Sequence, residues 1–356
     1  MVRWPDPRLT DLFGLAHPII QAPMGGSVTP ELAAAVSNAG GLGSLAFTID
    51  PPAEVREGCR AMRAATNAAF NINLFILPQA VAQSAEARAT LRTRLAPVYA
   101  ELGLGEVPQP QHGAPAQGFT DEMLETLLAQ RPPVLSFHFG LPGPAAMARL
   151  KAAGIKMICT ASTVAEARLV EAAGCDAVIA QGWEAGGHRG AHAPNGPMDG
   201  VGTMALVPQV VDAVRIPVIA AGGIGDARGI AAAFMLGAAG VQMGSAFLHC
   251  PEASTDARRR QLIAMADGGD TVVTDAYSGR SARAYRSRFA RDMVPFAGQF
   301  AGYGQMYDFT DRICDAGAED VASFHLYGQA AGLGRALPAA ELVAELSEGA
   351  LRLLGR

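Results

Sequence analysis

The sequence predicts an α/β fold, a (β/α)8 TIM barrel carrying an additional, mostly helical C-terminal capping region. Three observations lead there. A short grammar recurs in VSNAGGLGSL (36–45), LKAAGIKMI (150–158), VEAAGCDAVI (170–179) and MLGAAGVQMG (235–244): the end of an Ala-rich helix, a glycine, then an apolar run. Eight apolar runs of strand length precede residue 250, with amphipathic helical stretches between most of them. The alternation then stops, and 251–335 has no strand–helix rhythm.

The first strand is PIIQAPM (18–24). Helix TPELAAAVSNAG follows, with Thr29 as its N-cap and Pro30 at the first helical position, where no backbone N–H is missed. LGSLAF (42–47) and FNINLF (70–75) are the second and third strands. The stretch 96–119, rich in proline and glycine, reads as an excursion between strands three and four. VLSFHFG (134–140), KMICTAS (156–162), AVIAQGW (177–183), PVIAAGG (217–223) and GVQMGSAF (240–247) complete the eight. Helices STVAEARLVEAAG (162–174) and DARGIAAAFMLG (226–237) open with good caps. In each repeat a glycine takes the left-handed position that stops the helix. The apolar run behind it suits a parallel strand covered on both faces. Right-handed connections through eight such units close a barrel, and a doubly wound open sheet is the alternative. The expected organisation is a barrel over 1–250, a capping subdomain over 251–335, and a terminal segment, 336–356. There the amphipathic PAAELVAELSEGALRLL (338–354) returns to the barrel wall as its last helix.

Composition narrows the function. Half of the 356 residues are hydrophobic, enough for a large core, and the net charge of −5 offers no concentrated basic face for a nucleic acid. The run RRRQ (258–261) reads as a solvated helix face. The five scattered cysteines show no CxxC spacing, and the N-terminal MVRWPDPRLTDLFG has no apolar signal core, so a reducing cytoplasm is expected. The uncharged stretch 229–250 is broken by Gly237, Gly240 and Gly244, which favours a buried helix and strand over a membrane span.

In such barrels chemistry gathers where the strands end. The first strand runs into Ala22-Pro23-Met24-Gly25-Gly26, the third carries Asn73, the fourth ends at His138, and the sixth ends at Gln181. Strand seven closes in AAGGIG (220–225) and strand eight carries QMGS (242–245). Two glycine-rich turns at the ends of strands seven and eight can present backbone N–H groups to a phosphate, although each alone could be only a tight turn. After strand six comes QGWEAGGHRGAH (181–192). Glycines there let the backbone pass close to a flat ligand and offer His188 as a base near neutral pH. A histidine that only hydrogen-bonds within its loop is the plainer alternative. His192, four residues on, has helical metal-ligand spacing, but the glycines argue against a helix and no metal is expected. His17, His112, His249 and His325 read as structural, and His138 fits either the site or the core. A Schiff-base aldolase is disfavoured, because the two lysines are Lys151 and Lys156 and the latter opens a strand at the wrong barrel end. A cysteine nucleophile after strand six, as in nucleotide dehydrogenases of this fold, is absent from 181–203.

QAPMGG (21–26), NINLF (71–75), QGWEAGGHRG (181–190), PVIAAGGIGDARGIAAAFMLGAAGVQMGSAFL (217–248) and YGQAAGLG (327–334) together resemble the nitronate monooxygenases, once called 2-nitropropane dioxygenases. The resemblance implies a TIM-barrel flavoenzyme that binds FMN and oxidises alkyl nitronates with O2 to a carbonyl compound and nitrite. It implies that Met24, Asn73, Gln181, Gly186, Gly223, Gln242, Met243, Gly244 and Ser245 hold FMN. Gly223 and Gly244-Ser245 would face the phosphate, and Asn73 and Gln181 the flavin edge. It implies that His188 is the catalytic base toward a neutral nitroalkane. Partners would be a small-molecule substrate and O2, without nucleic acid or membrane. Two residues depart from the pattern: Ser245 stands where threonine is common, and Tyr327, in HLYGQ (325–329), where the family often carries a tryptophan. Tyr327 is therefore expected to reshape the substrate pocket. Related FMN-dependent enoyl-thioester and quinone reductases use NADH, and Arg280, Arg283, Arg286 and Arg288 could build a second phosphate site for it. A flavin-binding protein without turnover is the third possibility.

Overall fold

The computed structural model describes residues 4–77, 83–109, 119–193, 199–318 and 320–356. Strands β1 (Ile19–Gln21), β2 (Gly43–Phe47), β3 (Phe70–Phe75), β4 (Val134–His138), β5 (Lys156–Ala161) and β6 (Ala177–Gln181) come first. A two-residue strand β7 (Gly187–His188) precedes β8 (Val218–Ala221) and β9 (Gly240–Met243). All eight expected barrel strands are present, and they pair in parallel in the order β1-β9-β8-β6-β5-β4-β3-β2. The ring closes where Gln21 N–H donates to Leu42 O and Leu42 N–H to Ile19 O. It is a (β/α)8 TIM barrel.

Helices α1 (Arg8–Phe13), α2 (Pro30–Asn38), α3 (Pro52–Ala65), α4 (Ala85–Glu101), α5 (Asp121–Gln130), α6 (Pro144–Ala152), α7 (Val164–Ala172), α8 (Thr203–Ala213) and α9 (Ala227–Met235) follow in the barrel half of the chain. The expected caps hold. Thr29 accepts from Leu32 N–H at the start of α2, Thr163 from Glu166 N–H at α7, and Asp226 from Arg228 N–H at α9. The stop glycines Gly40, Gly154, Gly174 and Gly237 all have φ between 77 and 91°, the region where a side chain would crowd the backbone.

One core, including Leu32, Ile72, Phe137, Val178, Ile230 and Val241, lies between strands and helices. A second closes the barrel's N-terminal end, where Leu9 and Phe13 of α1 meet Ile20, Leu42, Ile158 and Ile219. The chemistry is thereby left to the opposite rim.

The second half holds α10 (Ala257–Met265), β10 (Thr271–Thr274), β11 (Ala282–Tyr285), α11 (Arg288–Met293), α12 (Tyr307–Asp315) and α13 (Ala339–Leu353). The capping region, expected to be helical or irregular, also contains the antiparallel pair β10–β11, and β11 pairs in turn with β7. Four-residue strands with polar and charged positions gave no alternation to read. Helix α13 packs with α9 and α2 and buries Leu342, Val343, Leu346 and Ala350 in the barrel core, completing the outer helix ring.

The expected excursion at 96–119 differs in part. Residues 85–101 form α4 with Pro97 inside it, and 110–118, with His112, lie outside the described residues. Leu91, Leu95, Tyr99 and Val107 share a core with Tyr277, Phe289, Met306, Phe309 and Ile313. The Tyr99 hydroxyl donates to Phe309 O at 2.6 Å. The cap is thus built from two separated sequence segments. The run 258–261 is a solvated face only in part, with Gln261 exposed. Of its arginines only Arg258 is exposed, while Arg260 closes the carbonyls of Leu248, His249, Cys250 and Ala253. No helix among the described residues is long and apolar enough to cross a membrane.

Candidate active site

A cavity of about 440 Å³ opens at the C-terminal rim, between barrel and cap. Its floor comes from Met24, Asn73, His138, Gln181, Gln242, Gly244 and Ser245, one side from Gly186 to His188 and Gly222 to Ile224, and its roof from Tyr303, Tyr307, Phe324 and Tyr327. The site residues expected from sequence are brought together here, except Met243. Its side chain points to the other strand face, into the core, and its carbonyl accepts from Ala22 N–H.

The floor is a polar chain across adjacent strands. Asn71 donates to Ser44 Oγ and Ser136 Oγ, and Ser136 donates to Asn73 Oδ1 at 2.8 Å. Asn73 Nδ2 is left buried and without a partner, as is Gln242 Oε1. Orphaned buried amide atoms cost about 1–3 kcal/mol each unless a ligand answers them. A donor and an acceptor at the floor fit the polar edge of a flat heterocycle. Gln181 is different: its Nε2 donates to His188 O at 3.0 Å and its Oε1 accepts from Gly190 N–H at 2.7 Å. It shapes the histidine loop as well as lining the cavity.

At β8 and β9 the glycine turns are as expected. Gly222 and Gly223 take φ of 97 and 71°, and the N–H groups of Gly223 and Ile224 donate to no other described residue. Glu184 braces this turn through Thr203, whose hydroxyl lies 2.9 Å from Glu184 Oε2 and 2.8 Å from Gly222 O. A Cβ on Gly244 would lie 3.5 Å from Met24 Sδ. That is ordinary contact, whereas on Gly186 it would lie 2.7 Å from Tyr327 Cα, so Gly186 is required by close approach. The same turn holds Ser245, whose Oγ accepts from Gly328 N–H at 2.8 Å. A phosphate fits this end, with free N–H groups and no carboxylate that is not already spent.

His188 is held in β7, not in a loose glycine loop: Gly187 takes φ of 74°, and the strand pairs with Ala282 and Arg283 of β11. Its Nε2 lies 2.8 Å from Ser278 Oγ. Phe75, Phe139, Tyr303 and Phe324 surround the ring with centroids 5.3–6.2 Å away. Burial, then the Arg280 charge, pushes its pKa down to about 3. The imidazole is therefore neutral at working pH and keeps a lone pair. His138 resolves as a supporting residue. Its Nε2–H donates to His188 O at 3.1 Å and its Nδ1 accepts from the Thr160 hydroxyl at 3.1 Å, which takes up both ring nitrogens. Burial, then the neighbouring His188, lowers its pKa to about 3 as well. Next to it Phe139 has φ of 71°, uncommon for a side-chain-bearing residue, with Arg280 packed 3.8 Å over its ring. His192 donates to Thr160 O at 2.9 Å.

Both pKa values bear on stability. An unfolded chain takes up these two protons near pH 6.5, whereas the fold resists them until about 3. The unfolded state binds more protons throughout that window, so stability present above pH 6.5 is lost as pH falls toward 3. Thermal unfolding across that range should show Tm falling, and His138→Phe should flatten the fall. An unchanged slope in that variant would contradict the assignment.

The family model for nitronate monooxygenase matches residues 6–349. The chain belongs to this family. It is an enzyme of the flavin-dependent monooxygenase class. It is similar to the nitronate monooxygenase of Pseudomonas aeruginosa, 45% identical over 96% of this chain and 98% of that one. The relative of that name in Paraburkholderia phytofirmans is 43% identical over 95% and 93%. Among solved structures, nitroalkane oxidase from Streptomyces ansochromogenes matches with a TM-score of 0.87 at 38% identity, over 98% of this chain and 100% of that one. FabK from Thermotoga maritima matches at 0.77 and 30%, over 99% and 98%.

For this nitronate monooxygenase family member, sequence reasoning missed the roof. Tyr303, Tyr307 and Phe324 come from a segment without periodicity, and only its density of aromatics between glycines, in AGYGQMYDF (301–309), marked it. Ser278 and Glu184 escaped because they act through His188 and Thr203, contacts that spacing does not reveal. Tyr327, singled out from its motif, does line the cavity, and its hydroxyl donates to Asp270 at 2.6 Å.

Proposed function

We propose that the protein binds FMN non-covalently and uses it to oxidise small alkyl nitronates with O2, releasing a carbonyl compound and nitrite. The observation that carries this is the pairing of unanswered amide atoms at Asn73 and Gln242 with the free N–H turn at Gly223, on one cavity floor. When bound, the flavin supplies the electron acceptance that no side chain here can. The chain's own part is to hold and to deprotonate. Met24, Asn73, Gln181, Gly186, Gln242 and Gly244 shape the bed, and Gly223 with Ser245 closes on the phosphate. His188, neutral and braced by Ser278, takes the α-proton of a neutral nitroalkane. The aromatic ring set around it excludes water and gives an anion a small, low-dielectric berth.

An NADH-using reductase would need donors for two further phosphates. Arg280 donates to Ala191 O and Ala193 O, Arg283 to Trp183 O and Thr271 Oγ1, and Arg288 pairs with Glu101. Of the four arginines that could serve it, Arg283 and Arg288 are engaged, and Arg280 is held through Nη2 with its buried Nη1 left without a partner. The cofactor is tested by denaturing purified protein and chromatographing the released chromophore. FMN is expected, whereas FAD, or no flavin even after reconstitution, would overturn the assignment.

A further inference from the structure

On the basis of the FMN assignment above, we propose that Arg259 supplies the counter-charge for the cofactor's phosphate and so sets the preference for FMN over riboflavin. Among the described residues, Arg259 is the one lysine or arginine in the cavity wall. It reaches there from the first turn of α10, beside the run in which Arg260 seals carbonyls and Arg258 faces Asp320. Its Nη1 donates to Ser27 Oγ at 2.7 Å and its Nη2 to Leu326 O. Nε is buried without an acceptor. No carboxylate among the described residues forms an ion pair with it, although Asp256 lies three residues earlier and caps α10.

Its position selects the phosphate end. Ser27 N–H donates to Met24 O, and Met24 Sδ lies against Gly244. Leu326 leads into Tyr327 and Gly328, and Gly328 N–H donates to Ser245 Oγ. Both anchors of Arg259 are therefore linked through near neighbours to the Gly244-Ser245 turn. His188 lies within a different set of neighbours, and the cation whose charge reaches it is Arg280. The two carboxylates in the wall do not compete. Glu184 is spent on Thr203, and Asp50 accepts from Thr48 N–H at 2.6 Å. A phosphate carries up to two negative charges. Backbone N–H groups alone leave that charge largely uncompensated in a semi-buried cleft, whereas a guanidinium offers planar, paired donors and a full positive charge. Burial lowers the pKa of Arg259, and a guanidinium remains protonated at working pH.

The test compares Arg259→Met with Arg259→Lys and wild type. Flavin-depleted protein is titrated with FMN and with riboflavin, with flavin fluorescence as the readout. The methionine variant should lose roughly 10- to 100-fold in FMN affinity and none in riboflavin affinity, and the lysine variant should fall between. FMN binding should also lose part of its salt dependence in the methionine variant. Equal losses for both flavins, or FMN affinity unchanged with a raised KM for nitronate, would overturn the proposal, the latter by assigning Arg259 to the substrate anion. Circular dichroism checks folding, and if the methionine variant does not fold, Arg259→Gln takes its place with the same expected outcomes. A wild type that releases a flavin other than FMN is seen separately, by chromatography, and would overturn the assignment on which the proposal rests.

Discussion

His188→Asn should keep the fold and the flavin but lose about 10²–10⁴-fold in kcat/KM on neutral nitroalkanes. An asparagine amide is too short to reproduce the Nε2 contact with Ser278, and it cannot accept a proton at neutral pH. A substrate supplied already as its nitronate anion has no proton to lose, and its turnover should fall far less. The separation between the two substrate forms is the diagnostic quantity. Equal losses on both would reject proton removal and leave His188 only an orienting role. Because burial and the Arg280 charge hold the His188 pKa down to about 3, kcat/KM on the nitronate should show no acidic limb from His188 between about pH 5 and 8.

Gly223→Asp should abolish FMN binding. The position has φ of 71° and its Cβ would lie 3.4 Å from Glu184 Cβ. A carboxylate there stands beside a second one and faces the place where N–H groups meet a phosphate. Backbone strain alone costs about 1–2 kcal/mol, so Gly223→Ala serves as the control: it carries the strain without the charge. Flavin content after purification and thermal unfolding read the two effects apart. The alanine variant should retain FMN with a lowered Tm, and the aspartate variant should be colourless. An aspartate variant that still holds FMN at wild-type affinity would move the phosphate away from β8.

The barrel was legible because each unit repeats a local rule. A capped helix, a left-handed glycine and a doubly covered strand all depend on neighbours in sequence, and Thr29, Gly154 and Gly174 do what their positions predict. The cavity floor was legible for the same reason, since Asn73, Gln181 and Gln242 sit in or at the ends of strands that the pattern had already placed. The Met243 side chain does not line the cavity, because neighbouring residues on a strand face opposite ways. A contiguous QMGS cannot all line one cavity, and only Gln242 among its two strand residues does so. The cap was not legible. Its core joins Tyr99 to Phe309 across 210 positions, and its strands are too short and too polar to alternate. The strand-end position of His138 fits site or core alike, and it is Thr160 and the His188 carbonyl, distant in sequence, that claim both its nitrogens.

In the proposed function the cavity takes a small anion over a flavin, not a dinucleotide. Anaerobic mixing in a stopped-flow spectrometer tests it most directly. With a small alkyl nitronate, the flavin's visible absorption should bleach or shift rapidly. With NADH it should change slowly or not at all, since the described cap arginines Arg280, Arg283 and Arg288 are already engaged. Rapid reduction by NADH together with no response to nitronate would contradict the account.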